Sequence, residues 1–281
     1  MEPRTAPPAT GFVPLAGHGR IAYTICGRAD DREPPLLLLR PLGGSMLLWT
    51  AGGFRERLAS RRRVISFDPR GAGRSSAPPF GMTTRDMAQD ALAVLDHLGV
   101  DQAELFGLSL GGMVASWVAA SSPSRVRRLI LGSTARRGLD ISRHGFGRAL
   151  SLGRCLLRPK MADVEACLVH RILSARFRSA HGEALRQLEQ LARQEPSTRT
   201  GLLALVAAAA MHDADRALHK VSAPALLLFG DLDPLLRADA RSELAQALPT
   251  ARVEMIASCG HDLSLEQPLL TADRIDAFLS A

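Results

Sequence analysis

Short continuous apolar runs recur along the chain, and segments with helical spacing separate them. Continuous apolar runs are typical of strands that are buried on both faces of a parallel sheet. Near the amino end, two strand-like segments flank a turn-forming Ala-Gly-His-Gly sequence. The pattern predicts strands at residues 11–15, 20–25, 36–39, 64–67, 103–106, 128–132, 225–229 and 253–256.

Helical spacing fills most of the intervals between these strands. The clearest case is the segment 84–98, whose apolar face carries Met87, Ala91, Val94, Leu95 and Leu98. Other helices are predicted at 49–60, from the end of the 103–106 strand to about 120, at 238–248 and at 269–279. Because strands and helices alternate, we expect an α/β structure with a mostly parallel sheet and helices on both faces.

This alternation stops between about residues 135 and 218, where no strong strand signal occurs. The spacing there predicts helices at 146–157, 162–174, 182–193 and 200–211. We interpret the stretch as a helical cap inserted into one domain, with 1–134 and 219–281 as the core and 135–218 as the cap. A chain of 281 residues with 46% apolar composition is long enough to bury one large core.

The formal net charge is +7 and the pI is near 10.2, and scattered arginines supply most of this charge. A basic chain can bind nucleic acid, but aromatic residues for base stacking make up only 4% of the composition. The tightest cluster, Arg61-Arg62-Arg63, is predicted to be solvated at the entry to a strand. We therefore expect a small-molecule partner, and neither nucleic acid nor a membrane.

The four cysteines, Cys26, Cys155, Cys167 and Cys259, are far apart in sequence and form no CxxC pair. This usage predicts free thiols in a reducing compartment, and hence a cytoplasmic location. The amino end lacks the apolar segment of a secretory signal, and no apolar stretch is long enough to span a bilayer. The sequence leaves a monomer and a homodimer equally open.

The segment Gly107-Leu108-Ser109-Leu110-Gly111 stands between a predicted strand and a predicted helix. A chain that turns sharply from strand to helix crowds the backbone around the apex, and flanking glycines relieve that crowding. The residue at the apex projects its side chain above the sheet, and the next amide lies at a helix amino terminus. Ser109 is therefore the candidate nucleophile.

A serine nucleophile needs a base, which is typically a histidine held by a carboxylate. Of the eight histidines, His261 directly follows the last predicted strand, at the edge where ligands of open α/β sheets gather. The carboxylate should also follow a strand, and both Asp231 and Asp233 do so. Asp262 is less suited, because adjacent side chains rarely orient each other's rings. Position alone leaves Asp231 and Asp233 open.

These motifs resemble the α/β-hydrolase fold family over nearly the whole chain. In order, they are the loop FDPRGAGRS at 67–75, GLSLGG at 107–112, GDLD at 230–233, GH at 260–261 and EQP at 266–268. The family carries its triad acid at the end of a G-x-x-D motif, which favours Asp233. The resemblance implies a mostly parallel eight-stranded sheet, an inserted helical cap and a Ser109–Asp233–His261 triad.

Within the family, the chain is most similar to capped serine esterases and lactonases of the 3-oxoadipate enol-lactonase and polyketide methylesterase type. A serine at the elbow disfavours the haloalkane dehalogenase and epoxide hydrolase members, which have aspartate there. The resemblance implies hydrolysis of a small-molecule ester or lactone with no metal and no organic cofactor. C–C bond hydrolysis, acyl transfer, cofactor-free perhydrolysis and non-enzymatic ligand binding on the same scaffold remain alternatives.

One segment departs from the family pattern. Where the family usually has His-Gly-x-Gly after its third strand, this chain has RPLGG at 40–44. The resemblance implies an oxyanion hole formed by the amides of Leu42 and Leu110, and Pro41 has no amide hydrogen to offer. Arg40 is interpreted either as part of a structural ion pair or as a cation that recognises an acidic substrate group. A distorted oxyanion hole with weak activity is a further alternative.

Overall fold

The structure is a computed structural model that describes residues 8–15, 17, 19–28, 33–138 and 153–281. Most of the helix predicted at 146–157 lies outside these residues. The strands are β1 (Ala9–Pro14), β2 (Arg20–Cys26), β3 (Leu36–Leu39), β4 (Val64–Phe67), β5 (Ala103–Leu108), β6 (Val126–Gly132), β7 (Ala225–Gly230) and β8 (Arg252–Ile256).

These strands form one sheet in the order β1-β2-β4-β3-β5-β6-β7-β8. β2 pairs antiparallel with both β1 and β4. The remaining pairs, from β4–β3 to β7–β8, are parallel. The predicted mostly parallel sheet of eight strands is therefore confirmed.

The helices lie on both faces of this sheet, as predicted. They are α1 (Phe54–Ala59), α2 (Thr84–His97), α3 (Leu110–Ser121), α4 (Met161–Ile172), α5 (Ala175–Ala180), α6 (Gly182–Gln194), α7 (Arg199–Ala210), α8 (Ala238–Ala247), α9 (Leu263–Glu266) and α10 (Pro268–Leu279). Because side chains alternate along a strand, successive β3 residues enter different cores. Leu37 packs in the core that contains Val114 of α3. Leu38 packs in the core that contains Phe54 of α1.

The helix predicted at 49–60 forms in two pieces. A 3₁₀ helix covers Met46–Gly53, and α1 follows it. Gly52 and Gly53 have φ values of 59° and 76°, in the left-handed region that glycine adopts without a Cβ penalty. The break therefore comes from two consecutive glycines inside an otherwise helical pattern.

Helices α4 to α7 lie between β6 and β7, and we call them the inserted helices. The predicted segment 162–174 ends earlier than expected, because the Ser174 hydroxyl accepts a hydrogen bond from the Phe177 amide and begins α5. The helical spacing did not predict α5 as a separate helix. The inserted helices pack on the rest of the chain through an apolar cluster that includes Leu48, Leu173 and Leu265.

Arg62 is buried, and the prediction of a solvated cluster at residues 61–63 is wrong for it. Its side chain is 5% exposed and bonds Glu104 through Nη1 at 2.8 Å and Asp276 through Nη2 at 2.5 Å. Glu104 lies on β5 and Asp276 on α10, so this arginine joins two elements distant in sequence. Arg61 is the solvated member, with a side chain that is 57% exposed.

Arg62→Met is expected to lower the free energy of unfolding by about 3–5 kcal/mol, because the buried carboxylates of Glu104 and Asp276 lose the buried cation that they share. Arg61→Met is the matched control, since Arg61 also bonds Asp276 but from solvent. We expect it to cost about 1 kcal/mol or less. Urea denaturation followed by circular dichroism measures both values. Equal losses for the two variants would contradict the assignment of Arg62 as the buried ion-pair partner.

Cys155 and Cys167 form a disulfide, so the prediction of free thiols is wrong for these two residues. Cys26 and Cys259 are free and buried. Disulfides persist mainly in oxidising environments, and the cytoplasmic location predicted from cysteine usage loses that part of its support. Among the residues that the structure describes, none of the helices has both the length and the apolar character of a membrane span.

Candidate active site

Ser109 occupies the turn between β5 and α3. Its φ of 54° and ψ of −115° are unusual for a residue with a side chain. The Ser109 amide donates to the Gly132 carbonyl at 2.8 Å, and the Thr134 hydroxyl donates to the Ser109 carbonyl at 2.8 Å. Both contacts come from the end of β6, so the neighbouring strand holds the strained conformation of Ser109 in place.

The glycines around Ser109 are required by close backbone approach. A Cβ on Gly107 would lie 2.3 Å from the Gly111 carbonyl oxygen. A Cβ on Gly111 would lie 2.0 Å from the Leu39 carbonyl oxygen. These distances are far shorter than ordinary van der Waals contacts. The crowding predicted from the sequence is therefore present, and it extends from the turn itself to the end of β3.

His261 reaches Ser109 from the loop after β8. Its Nε2 lies 2.8 Å from Ser109 Oγ, and the whole residue is 2% exposed. Ser258 in the same loop has a φ of 56°, which turns the chain back over the sheet edge. The His261 amide donates to the carbonyl of Ile172, at the end of α4, at 3.3 Å. The inserted helices thus contact the histidine segment directly.

Asp233 completes a continuous chain of hydrogen bonds. Its Oδ2 lies 2.9 Å from His261 Nδ1. Its Oδ1 accepts from the amides of Leu235 at 2.7 Å and Leu236 at 3.0 Å. Asp231 is exposed, and its carboxylate accepts instead from the Cys259 amide at 3.1 Å. Position in the sequence left two aspartates open and the family resemblance favoured Asp233, which is the one that contacts the histidine.

Electrostatics favours an ionised pair between His261 and Asp233. Burial disfavours the charged form of His261, but the carboxylate of Asp233, together with the negative charges of Asp262 and Glu266, outweighs it, and the pKa of His261 is raised. Burial also works against ionised Asp233, but the facing imidazole and the two backbone amides lower the pKa of Asp233. The arrangement therefore stabilises a proton on the histidine while the aspartate stays negative.

Leu42 and Leu110, the two predicted oxyanion donors, belong to the loop after β3 and to the start of α3. Residues 40–45 form that loop, which we call the β3 loop; Gly43 and Gly44 have φ values of 85° and 72°. Within the described chain, neither the Leu42 amide nor the Leu110 amide has a backbone acceptor. Their role as donors to an oxygen atom of a ligand stays a prediction.

The sequence profile of the alpha/beta hydrolase fold matches residues 34–268. The chain belongs to the α/β-hydrolase fold family. Membership supports hydrolase activity, and the matched range contains all three residues of the hydrogen-bonded chain.

Three relatives show how this α/β hydrolase compares with known proteins. It is 25% identical over 261 residues to 3-oxoadipate enol-lactonase 2 of Acinetobacter baylyi, covering 92% of each chain. It is 30% identical over 258 residues to a dihydrolipoyllysine-residue acetyltransferase component of an acetoin cleaving system from Pseudomonas putida. That match covers 87% of this chain but spans only 63% of the relative's length. A crystal structure of a hydrolase from Pseudomonas aeruginosa PA01 superposes with a TM-score of 0.82 at 25% identity, covering 97% of this chain and 98% of that one.

Arg40 of this hydrolase is a buried side chain beneath the β3 loop. Its Nη2 lies 3.9 Å from Asp262 Oδ2, and its guanidinium stacks 4.7 Å above the Trp49 ring. The side chain is only 1% exposed, so it offers little surface to a substrate. Of the two interpretations of Arg40, this geometry favours the structural ion pair.

Two buried glutamates near the site were not identified as functional from the sequence. Glu165 of α4 accepts from the Gly44 amide of the β3 loop at 2.7 Å. Glu266 accepts from the amide and the hydroxyl of Ser174 at 2.6 and 2.5 Å. The available signal for Glu165 was its place on the apolar stripe of α4, with Leu168 and Val169, where an acid is costly without partners.

Proposed function

We propose that this protein is a serine hydrolase that cleaves a carboxylic ester or lactone of a small molecule. The supporting observation is the unbroken chain from Ser109 Oγ through both nitrogens of His261 to Asp233, with distances of 2.8 and 2.9 Å. A nucleophile, a base and an orienting acid in this order are the requirements of acyl transfer through serine.

In the first step, Ser109 Oγ attacks the carbonyl carbon while His261 Nε2 takes the hydroxyl proton. The negative charge that develops on the carbonyl oxygen is stabilised by the amides of Leu42 and Leu110. Asp233 keeps the His261 proton on Nδ1 before the attack and stabilises the imidazolium formed by it. The intermediate then collapses, and the departing alkoxide takes the proton from Nε2, which leaves the acyl group on Ser109.

In the second step, water replaces the alcohol. His261 Nε2 takes a proton from the water as it attacks the acyl-enzyme, and the same two amides stabilise the second oxyanion. Collapse returns the proton to Ser109 Oγ and releases the carboxylic acid. For a lactone, the alcohol and acid leave as one hydroxy acid. No metal or organic cofactor takes part in these steps.

The inserted helices act in this proposal as a cap that selects the substrate, with 135–218 as the cap and 1–134 and 219–281 as the core. The support is their contact with the residues around the candidate nucleophile. Ile172 accepts from the His261 amide, Ser174 bonds Glu266, and Glu165 bonds Gly44. A lid of this kind excludes water from the reacting atoms and shapes the substrate pocket.

Labelling with a fluorophosphonate tests the proposal directly, because this probe reacts with an activated serine and needs no knowledge of the substrate. We expect one adduct by intact mass, mapped to Ser109 by peptide analysis and absent from Ser109→Ala. Folded protein without an adduct would contradict a serine hydrolase and would favour non-enzymatic ligand binding on this scaffold.

A substrate screen then separates the reactions that share this chain of residues. Short esters, lactones and enol-lactones represent the proposed class. Vinylogous 1,5-diketones test C–C bond hydrolysis, an added alcohol tests acyl transfer, and hydrogen peroxide with a carboxylic acid tests perhydrolysis. Turnover of a diketone at a higher kcat/KM than any ester or lactone would overturn the proposed substrate class while leaving Ser109 as the nucleophile.

The pH dependence of kcat/KM should report the protonation of His261. The free enzyme needs neutral His261, so activity is expected to fall as the pH is lowered through the pKa of that residue. Because Asp233 raises this pKa, the midpoint should lie above the ordinary histidine value of about 6.5. Initial rates on an activated ester between pH 5 and 9 measure it, with circular dichroism as the control for unfolding. A midpoint well below 6.5 would contradict the ionised His261–Asp233 pair.

A further inference from the structure

Glu165 is a fully buried carboxylate that joins the inserted helices to the β3 loop. It is 0% exposed, and its two oxygens accept from two different backbone amides. Oε2 accepts from Gly44 at 2.7 Å, and Oε1 accepts from Ser197 at 3.1 Å. A buried carboxylate is costly unless it is hydrogen-bonded in this way. Both oxygens of Glu165 therefore hold backbone amides, and one of these amides belongs to the loop that carries Leu42.

The β3 loop packs closely against this carboxylate. A Cβ on Gly43 would lie 2.9 Å from Glu165 Oε2, so only glycine fits there without a shift. Directly after the loop, at the first residue of the 3₁₀ helix, Asp68 Oδ1 accepts from the Met46 amide at 2.7 Å. Two buried carboxylates thus hold two amides of one short segment. Glu165 holds the amide that lies two residues from Leu42.

Arg40 supplies positive charge beside these carboxylates. Burial lowers the pKa of Arg40, and the nearby negative charges of Asp262, Glu165 and Asp68 oppose that effect. A Cβ on Gly44 would lie 4.0 Å from Arg40 Nη2, so the cation is next to the bond between Gly44 and Glu165. An uncompensated carboxylate near a developing oxyanion would oppose catalysis. The arginine offsets that charge while the hydrogen bond remains.

From these contacts, we infer that Glu165 is a positioning residue for the oxyanion hole. Its hydrogen bond to the Gly44 amide holds the β3 loop in its turn. That turn orients the Leu42 amide toward the substrate carbonyl. This inference rests on the proposed serine hydrolase function. It assigns to an inserted helix part of the catalytic geometry, in addition to substrate selection.

The Ser174–Glu266 contact provides a matched comparison. It also joins the inserted helices to the rest of the chain through a buried carboxylate, but its hydrogen bonds run between Ser174 and Glu266 and involve no amide of the β3 loop. Loosening the inserted helices in general should affect both contacts alike. A specific effect on the oxyanion hole should follow substitution of Glu165 and not substitution of Ser174.

The test compares Glu165→Leu, Glu165→Gln and Ser174→Ala on one activated ester. A donor displaced by about 1 Å costs up to about 100-fold in rate, so Glu165→Leu is expected to lower kcat by about 10- to 100-fold and to change KM much less. Glu165→Gln keeps one oxygen that can accept from Gly44, and it should recover most of the lost kcat. Ser174→Ala should retain kcat within about threefold.

An alkyl trifluoromethyl ketone supplies a second readout. Its adduct with Ser109 carries an oxyanion that the proposed Leu42 and Leu110 donors would bind, so its inhibition constant should rise by the same factor as kcat falls in Glu165→Leu. If Glu165→Leu does not fold, the folded Glu165→Gln enzyme tests the positioning role instead. Its inhibition constant for the ketone is expected to be a fewfold higher than that of Ser174→Ala.

Two outcomes separate this inference from the proposed function. Wild-type protein that takes no fluorophosphonate adduct refutes the proposed function, and this inference with it. The second outcome is a wild-type protein that is labelled and active while the Glu165 variants match Ser174→Ala in kcat and in inhibitor affinity. That result refutes the positioning role and leaves the proposed function standing. A rise in KM with unchanged kcat would also refute it, because that result would assign Glu165 to substrate binding.

Discussion

Replacement of Ser109 by alanine is expected to lower kcat for an activated ester by about 10⁶-fold, to the level left by binding and the backbone amides. Alanine removes Oγ, the atom that lies 2.8 Å from His261 Nε2 and gives up its proton in the proposed mechanism. The remaining amides could still polarise a carbonyl, but no acyl-enzyme would form. Burst kinetics and intact mass with a slowly hydrolysed ester measure the loss of that intermediate directly.

Ser116→Ala is the matched control for this change. Ser116 is also buried and lies on α3, where its hydroxyl donates to the Gly112 carbonyl at 2.9 Å. The same substitution on the same helix should therefore leave kcat within a fewfold of wild type, since Ser116 has no contact with His261. Retention of more than about 1% of the wild-type kcat in folded Ser109→Ala would refute Ser109 as the nucleophile.

The sequence was most informative where local spacing fixes the structure. Continuous apolar runs marked β3 and β7 because both faces of these strands are buried in the sheet. The turn at Ser109 was predictable because glycines flank it in the sequence, although part of the crowding comes from the Leu39 carbonyl at the end of β3. The alternation with helices predicted a mostly parallel sheet, but it predicted neither the order of the strands nor the antiparallel pairing of β2 with β4.

The sequence pattern did not predict which distant segments contact each other. The burial of Arg62 depends on Glu104 and Asp276, which are 42 and 214 residues away. Glu165 contacts Gly44 across 121 residues, so its role in the loop is invisible to any pattern on α4 alone. Position alone could not separate Asp231 from Asp233, because both follow β7, and it was the resemblance to the family's G-x-x-D motif that favoured Asp233.

Replacement of Asp233 by asparagine is expected to lower kcat by about 10⁴-fold while leaving the fold intact. Asparagine has nearly the same shape, and its side-chain oxygen can still accept from the Leu235 and Leu236 amides. Its amide group would then face His261 Nδ1 and donate to it, which forces the proton onto Nε2. His261 would no longer be able to accept the proton of Ser109 at the nitrogen that contacts it.

Asp231→Asn separates this effect from a general loss of negative charge after β7. Asp231 is exposed and accepts from the Cys259 amide, so its substitution should change kcat by less than about tenfold. The two variants should also differ in their pH profiles. Loss of the Asp233 carboxylate removes the charge that raises the pKa of His261, and the acidic limb of kcat/KM should move to lower pH. Two results would show that Asp233 is not the residue that orients His261. One is a larger loss of kcat in Asp231→Asn than in Asp233→Asn, and the other is an unshifted acidic limb of kcat/KM in Asp233→Asn.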